Sequence, residues 1–216
     1  MRLTRTRKTT IAAVLTLTAA GAVGVSLSNS SAAPSAHRGA DVTTNAKLDP
    51  LNNSAASGHA QVTISGSNLK VVLNARRLLK GMPHAEHIHF GPKARHECPS
   101  VRDDSNSDHR LNTAEGTPAY GPVRISLTTK GDTSPDSTLA VNRFPTAPKG
   151  RISYSRTIHV KPALAERIAA GKGVLVIHGI DYNHNGKYDF KGAGKSELDP
   201  SLPAEATDPV LCGRLQ

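Results

Sequence analysis

Three histidines, His84, His87 and His89, fall within the stretch PHAEHIHFG (83–91). In an extended chain, side chains alternate faces, so His87 and His89 project from one face and His84 from the other. Pro83 or a bulge would alter the placement of His84. Two imidazoles on one face, joined by a third from elsewhere, make a copper or zinc arrangement. The candidate third is His178, inside the apolar run GVLVIHGI (173–180). A polar ring among apolar neighbours needs a partner, because burying it unpaired is costly. That partner is either a metal ion or a backbone group, as in an ordinary core histidine.

A second constellation follows at once. In DYNHNGKYD (181–189), Asp181, Asn183 and Asn185 alternate ahead of Gly186, and Asp189 follows. Oxygen ligands at the first, third and fifth positions before a glycine match the first half of a calcium loop. The twelfth position is Gly192, where the full motif has a bidentate glutamate. The alternative is an Asn185-Gly186 hairpin turn. Asp103, Asp104, Asp108 and His109 either hold a cation or form a solvated acidic loop. GAGKS (192–196) lacks the first glycine and leading strand of a phosphate loop. No Gly-x-Ser-x-Gly elbow supports a hydrolase.

The elements that must position these residues read as short strands. HAQVTISG (59–66) and SNLKVVLNARRLL (67–79), joined by a Gly-Ser-Asn turn, form a hairpin signal. VRISLTT (123–129), STLAVNRF (137–144) and RISYSRTIHV (151–160) are further β-branched runs between turn clusters. One helix is expected in KPALAERIAAGKG (161–173), with Pro162 near its start and Gly171 and Gly173 past its end. The run at 173–180 suits a strand buried on both faces. The sum is an all-β antiparallel sandwich or flattened barrel, with one short helix before the last core strand.

The N-terminus reads as a secretory signal over 1–33. Arg2, Arg5, Arg7 and Lys8 precede the apolar run from Ile11 to Val25, and SNSSAA ends in small residues. That run is shorter than the roughly 20 residues of a spanning helix, and no later segment approaches that length. Removing 1–33 leaves 183 of the 216 residues and lowers the formal charge of +10 by the four signal cations. The other cations are scattered and aromatics make up 3%, which argues against a nucleic-acid surface. Residues 34–57 are small, polar and aperiodic, and read as a flexible lead. In an exported chain the two cysteines, Cys98 and Cys212, read as one disulfide, and their count excludes a cysteine-type zinc site.

Taken in order, these stretches resemble a known family. HAEHIHFG is similar to the His-x-x-His-x-His-x-Phe-Gly segment of copper/zinc superoxide dismutases. VLVIHG resembles that family's strand bearing another copper histidine, LCGRL its C-terminal Cys-Gly, and Cys98 stands where the family has its other half-cystine. The helix and the strands SYSRTIHV and HIHFG also resemble the CHRD domain, a related extracellular sandwich whose members usually lack an assigned reaction. The resemblance implies a Greek-key domain over 58–216 with His87, His89 and His178 as copper ligands. It makes His84 an outer histidine bracing them, and Cys98–Cys212 the disulfide. The family's bridging histidine segment is missing after Cys98, which leaves His109 or His96 as fourth-ligand candidates. Its zinc loop and its arginine near the C-terminal cysteine are also missing; Arg214 lies just past Cys212. Copper and calcium are therefore the expected ions, and zinc is not. Three functions follow: an exported binding module with an active or vestigial copper site, a copper-only dismutase, or a metal-free structural envelope protein.

Overall fold

The computed structural model describes residues 40–216. The signal expected at 1–33 lies outside the described residues. Eight strands dominate: β1 (Val42–Pro50), β2 (Ser57–Ser65), β3 (Asn68–Arg76), β4 (Glu86–His89), β5 (Val123–Ser126), β6 (Arg151–His159), β7 (Val174–His178) and β8 (Pro209–Arg214). Four helices join them: α1 (Thr113–Tyr120), α2 (Pro162–Ala169), α3 (Phe190–Ala193) and α4 (Ala204–Thr207). Every strand pairing is antiparallel. The all-β antiparallel architecture expected from the sequence is the one observed.

The spatial order is β5-β4-β7-β8-β1-β2-β3-β6. One half (β1, β2, β3, β6) meets the other (β5, β4, β7, β8) through a short β1–β8 ladder at Asp49–Cys212 and Pro50–Leu211. The sheet curls so that both halves share one core. Val62, Leu69, Val71 and Leu73 of the first half join Ile88, Ile125, Leu175, Ile177 and Leu211 of the second. β2 and β3 alternate buried and exposed positions, as half-buried strands should. Each such aliphatic chain, fully buried, stabilises by about 1.5–3 kcal/mol. The outermost strands, β5 and β6, are joined by side chains instead of a backbone ladder. Tyr154 Oη and Arg156 Nη1 of β6 donate to the Thr128 carbonyl beyond β5, at 3.2 and 2.7 Å.

Three expectations are corrected. Within the supposed flexible lead (34–57), residues 42–50 form β1, paired with β2 from Val42–Ile64 to Leu48–Gly58. Of its inward residues, Thr44, Ala46 and Leu48, the first two are too small or polar to give a hydrophobic alternation, so the partner strands decide its conformation. The stretch 137–144 is not a strand. It forms two 3-10 turns, Pro135–Ser137 capped by the Ser134 hydroxyl, and Val141–Arg143. Helix α1 was not anticipated, although Asn112 and Glu115 form a reciprocal capping box that the sequence displays.

On β4 the alternation puts His87 and His89 outward and Glu86 and Ile88 inward, opposite the core residues Ile177 and Leu175 of β7. Glu86 is fully buried and neither carboxyl oxygen has a hydrogen-bond partner. Burial therefore pushes its carboxyl well above the usual range. Glu86→Leu is expected to stabilise the protein by about 1–3 kcal/mol, the desolvation cost of an unpaired polar group, read as a rise in the urea midpoint. A midpoint shifted downward would show that the carboxyl has a stabilising role.

Cys98 and Cys212 are bonded, with Cα atoms 5.7 Å apart and 114 positions between them in sequence. The bond ties the long β4–β5 connection to β8. Closing a loop of this length stabilises by about 4–5 kcal/mol in the chain-entropy model. Reduction with a thiol should lower the thermal midpoint accordingly, and a midpoint unchanged by reduction would contradict it.

Candidate metal centre

His87, His89 and His178 come together on the outer face of the β4–β7 pair, the face opposite the main core. His87 pairs with Val176 and His89 with Val174 across the ladder. The register slips just before His89 against β5, and just before His178 against β8. Such bulges re-aim side chains, and here they flank two of the three rings. One ring nitrogen from each histidine lies within 4.8 Å of the other two. The ring centroids are 5.7 Å apart for His87–His89, 5.1 Å for His87–His178 and 6.1 Å for His89–His178. All three residues are buried.

Each ring spends one nitrogen on a backbone carbonyl. His87 Nε2 donates to Thr138 at 3.1 Å, His89 Nδ1 to Gly121 at 2.8 Å and His178 Nδ1 to Thr207 at 2.6 Å. A carbonyl only accepts, so those nitrogens carry the protons. The other nitrogens, His87 Nδ1, His89 Nε2 and His178 Nε2, are buried and have no partner. They are therefore bare lone pairs, which is what a metal ligand requires. Three orphaned acceptors, each with its tautomer fixed from behind, fit a metal bound by three imidazoles.

The carbonyls come from loops. Gly121 caps α1 with φ of 87°, and a Cβ there would lie 2.7 Å from the Gly91 nitrogen. Only glycine brings this backbone so close to the β4 end and still turns toward His89. Thr207 ends α4, and its carbonyl also accepts from the Thr113 hydroxyl of α1 at 2.7 Å. Tyr120 packs its ring 4.3 Å from that of His89, and Phe144 lies 5.3 Å from His87. Gly121, Thr138 and Thr207 escape sequence reading because a carbonyl acceptor leaves no residue signature. Only the Asn112–Glu115 cap and the Ser134-Pro135 start hint that ordered turns stand there.

The remaining candidates lie elsewhere. His84 is fully buried and its Nδ1 donates to the His178 carbonyl at 2.8 Å, so it touches the backbone of a candidate ligand. Neither proposed fourth ligand joins the cluster. His109 is exposed in a left-handed turn, its amide held by Asp104 at 2.9 Å. His96 stacks on Phe90 with centroids 5.3 Å apart, near Lys172 and Arg214. Asp103 pairs with Arg95 at 2.6 Å and Asp108 with Arg110 at 2.7 Å, so local arginines neutralise that acidic loop. Arg214 is exposed at the end of β8 and lines no part of the histidine cavity.

In the 181–189 loop the oxygens turn onto the loop itself. Asp181 accepts from the Asn185 and Gly186 amides at 3.1 and 2.8 Å, and Asn183 from the Asn185 amide at 3.1 Å. Asp189 accepts from the side-chain amides of Asn183 and Asn185 at 3.2 and 2.7 Å. Glu205, which carries no distinguishing signal in its sequence context, is fully buried beneath. It accepts from the Tyr182 and Asp189 amides at 2.8 and 2.7 Å. Its carboxylate stands where a side chain at Gly192 would collide.

Burial holds the three rings neutral. It pushes His89 down to about 3 and His178 to about 4, and depresses His87 well below the usual range, with the neighbouring rings adding to the shifts of His87 and His89. An unfolded histidine takes its proton near 6.5. Below that pH the unfolded chain binds protons that the folded chain refuses, so stability is full above about 6.5 and is lost as pH falls toward 4 and then 3. The C2 proton resonances of these three rings should stay constant between pH 8 and 5. Midpoints near 6.5 in two or more of them would refute the buried neutral cluster.

No family model and no curated protein matches the sequence. Among solved structures, the chain is similar to a Cu/Zn superoxide dismutase from Brucella abortus, at 14% identity and a TM-score of 0.38, over 81% of this chain and 99% of that one.

Proposed function

We propose that this protein is an exported copper-binding module of the superoxide dismutase-like kind, with His87, His89 and His178 as the copper ligands. One observation carries the reading: three buried, partnerless imidazole nitrogens converge within 4.8 Å, and each ring is fixed through its other nitrogen. Such a cluster is costly without an ion, since each buried acceptor forfeits its hydrogen bond to water. That cost weighs against the metal-free structural alternative. Zinc is the less favoured ion, because the zinc-loop segment of the resembled family is not recognisable in this sequence. His84 would brace the site through the His178 backbone. The signal at 1–33 and the disulfide both suit an extracytoplasmic place. The motif likeness to CHRD domains agrees with a module whose role is binding.

The dismutase alternative needs a path for a small anion. The cavity over the rings is lined by Pro83, Leu139, Val141, Phe144, Leu198 and other uncharged residues, with no lysine or arginine among them. A superoxide anion would meet an apolar opening without electrostatic steering.

Metal analysis of protein exported from cells grown with copper should find about one copper per chain. His89→Ala should remove most of it while the circular dichroism spectrum persists. Full copper retention in that folded variant would exclude the assignment. Superoxide consumption by the loaded protein no faster than that of free buffer would support a binding role over the enzyme.

A further inference from the structure

The environment of the three nitrogens constrains the oxidation state of what they hold. The adjoining cavity is about 40 Å³, room for no more than a few small atoms. None of its lining residues is Asp, Glu, Cys, Lys or Arg. The groups hydrogen-bonded to the three rings are all backbone carbonyls. Glu86, the carboxyl nearest in sequence, faces the opposite side of β4, against the main core. The nearest buried carboxyl on the covering segments, Asp208 beside Thr207, accepts from the Tyr182 hydroxyl at 2.9 Å and does not line the cavity, so an ion at the cluster meets no carboxylate among the cavity's own lining residues.

The cost of placing a charge in such a medium grows with its square, so a dication costs about four times as much as a monocation. Coordination points the same way. Divalent copper favours tetragonal sites with four or more donors, and the cluster supplies three nitrogens and no fourth side chain. We infer that this centre selects copper as Cu(I), held by His87, His89 and His178 alone, and disfavours Cu(II). The inference rests on the copper assignment above and narrows it to a carrier or store of cuprous ion.

The full chain can be titrated anaerobically with Cu(I) in competition with bicinchoninate. Separately, it can be titrated with Cu(II) while the electron paramagnetic resonance spectrum is recorded. We expect one Cu(I) per chain, lost in His89→Ala. We also expect a preference for Cu(I) over Cu(II) at least about 100-fold above that of the aqueous couple, or about 120 mV at ~59 mV per tenfold for one electron. A Cu(II) signal with nitrogen couplings, absent in His89→Ala and formed with no such preference, would overturn the Cu(I) selection and leave the copper centre intact. Binding of neither ion overturns both. Leu139 lines the cavity mouth and is 36% exposed, so Leu139→Asp should fold while adding a countercharge. That variant is expected to gain Cu(II) affinity by about tenfold or more, the 1.4 kcal/mol scale of a modest ion interaction. Unchanged Cu(II) affinity in the folded variant would overturn the charge argument.

Discussion

Three imidazoles on the solvent side of a sheet have been taken out of water, and the surrounding chain is arranged around that burden. A neutral imidazole has one donor and one acceptor, and burying either unpaired is costly. The protein settles the donors with the carbonyls of Gly121, Thr138 and Thr207. It leaves the three acceptors pointing at one another. The accepting carbonyls come from three separate loop segments, so the loops that cover this face cannot be exchanged or shifted without uncoupling a ring.

This explains why the covering layer is braced so heavily. The β4–β5 connection is anchored by the disulfide to Cys212, which lies on the same β8 that pairs with β7. Its helix is closed by the Asn112–Glu115 box at one end and by a glycine in left-handed conformation at the other. The Thr207 carbonyl serves His178 and Thr113 together, tying the two covering segments to one acceptor. His84 adds a bond from beneath, to the carbonyl of His178. The two bulges on the ladder fall immediately before His89 and His178, where regular pleating gives way to the needs of the site.

Electrostatically the cluster is plain: no carboxylate and no basic residue lines the cavity over the rings. The chain's positive charge is spread over the surface instead, with Arg95 and Arg110 committed to local carboxylates. A neutral donor set in an apolar sheath favours low ionic charge and slow exchange with water. That combination suits retention of an ion better than rapid traffic of charged small molecules.

The residues and their local periodicity determined a good part of this. The two-residue spacing of His87 and His89 dictates a shared face, the apolar run dictates a buried strand ending at His178, and the presence of just two cysteines, far apart in sequence, allows a single bond. These are properties of pleat, burial and composition, which act over a few residues. The tertiary structure alone decided the rest. Strand β1 has a weak pattern because small Thr44 and Ala46 are buried by their partners and not by their own hydrophobicity. The stretch 137–144 has β-branched residues, yet it turns because its backbone must offer Thr138 to His87. His96 and His109, chemically equivalent to the clustered rings, lie away from them because loop geometry, not residue type, fixes where a ring points. Residue types state which atoms can bind an ion; only the folded backbone decides which lone pairs are left free to meet.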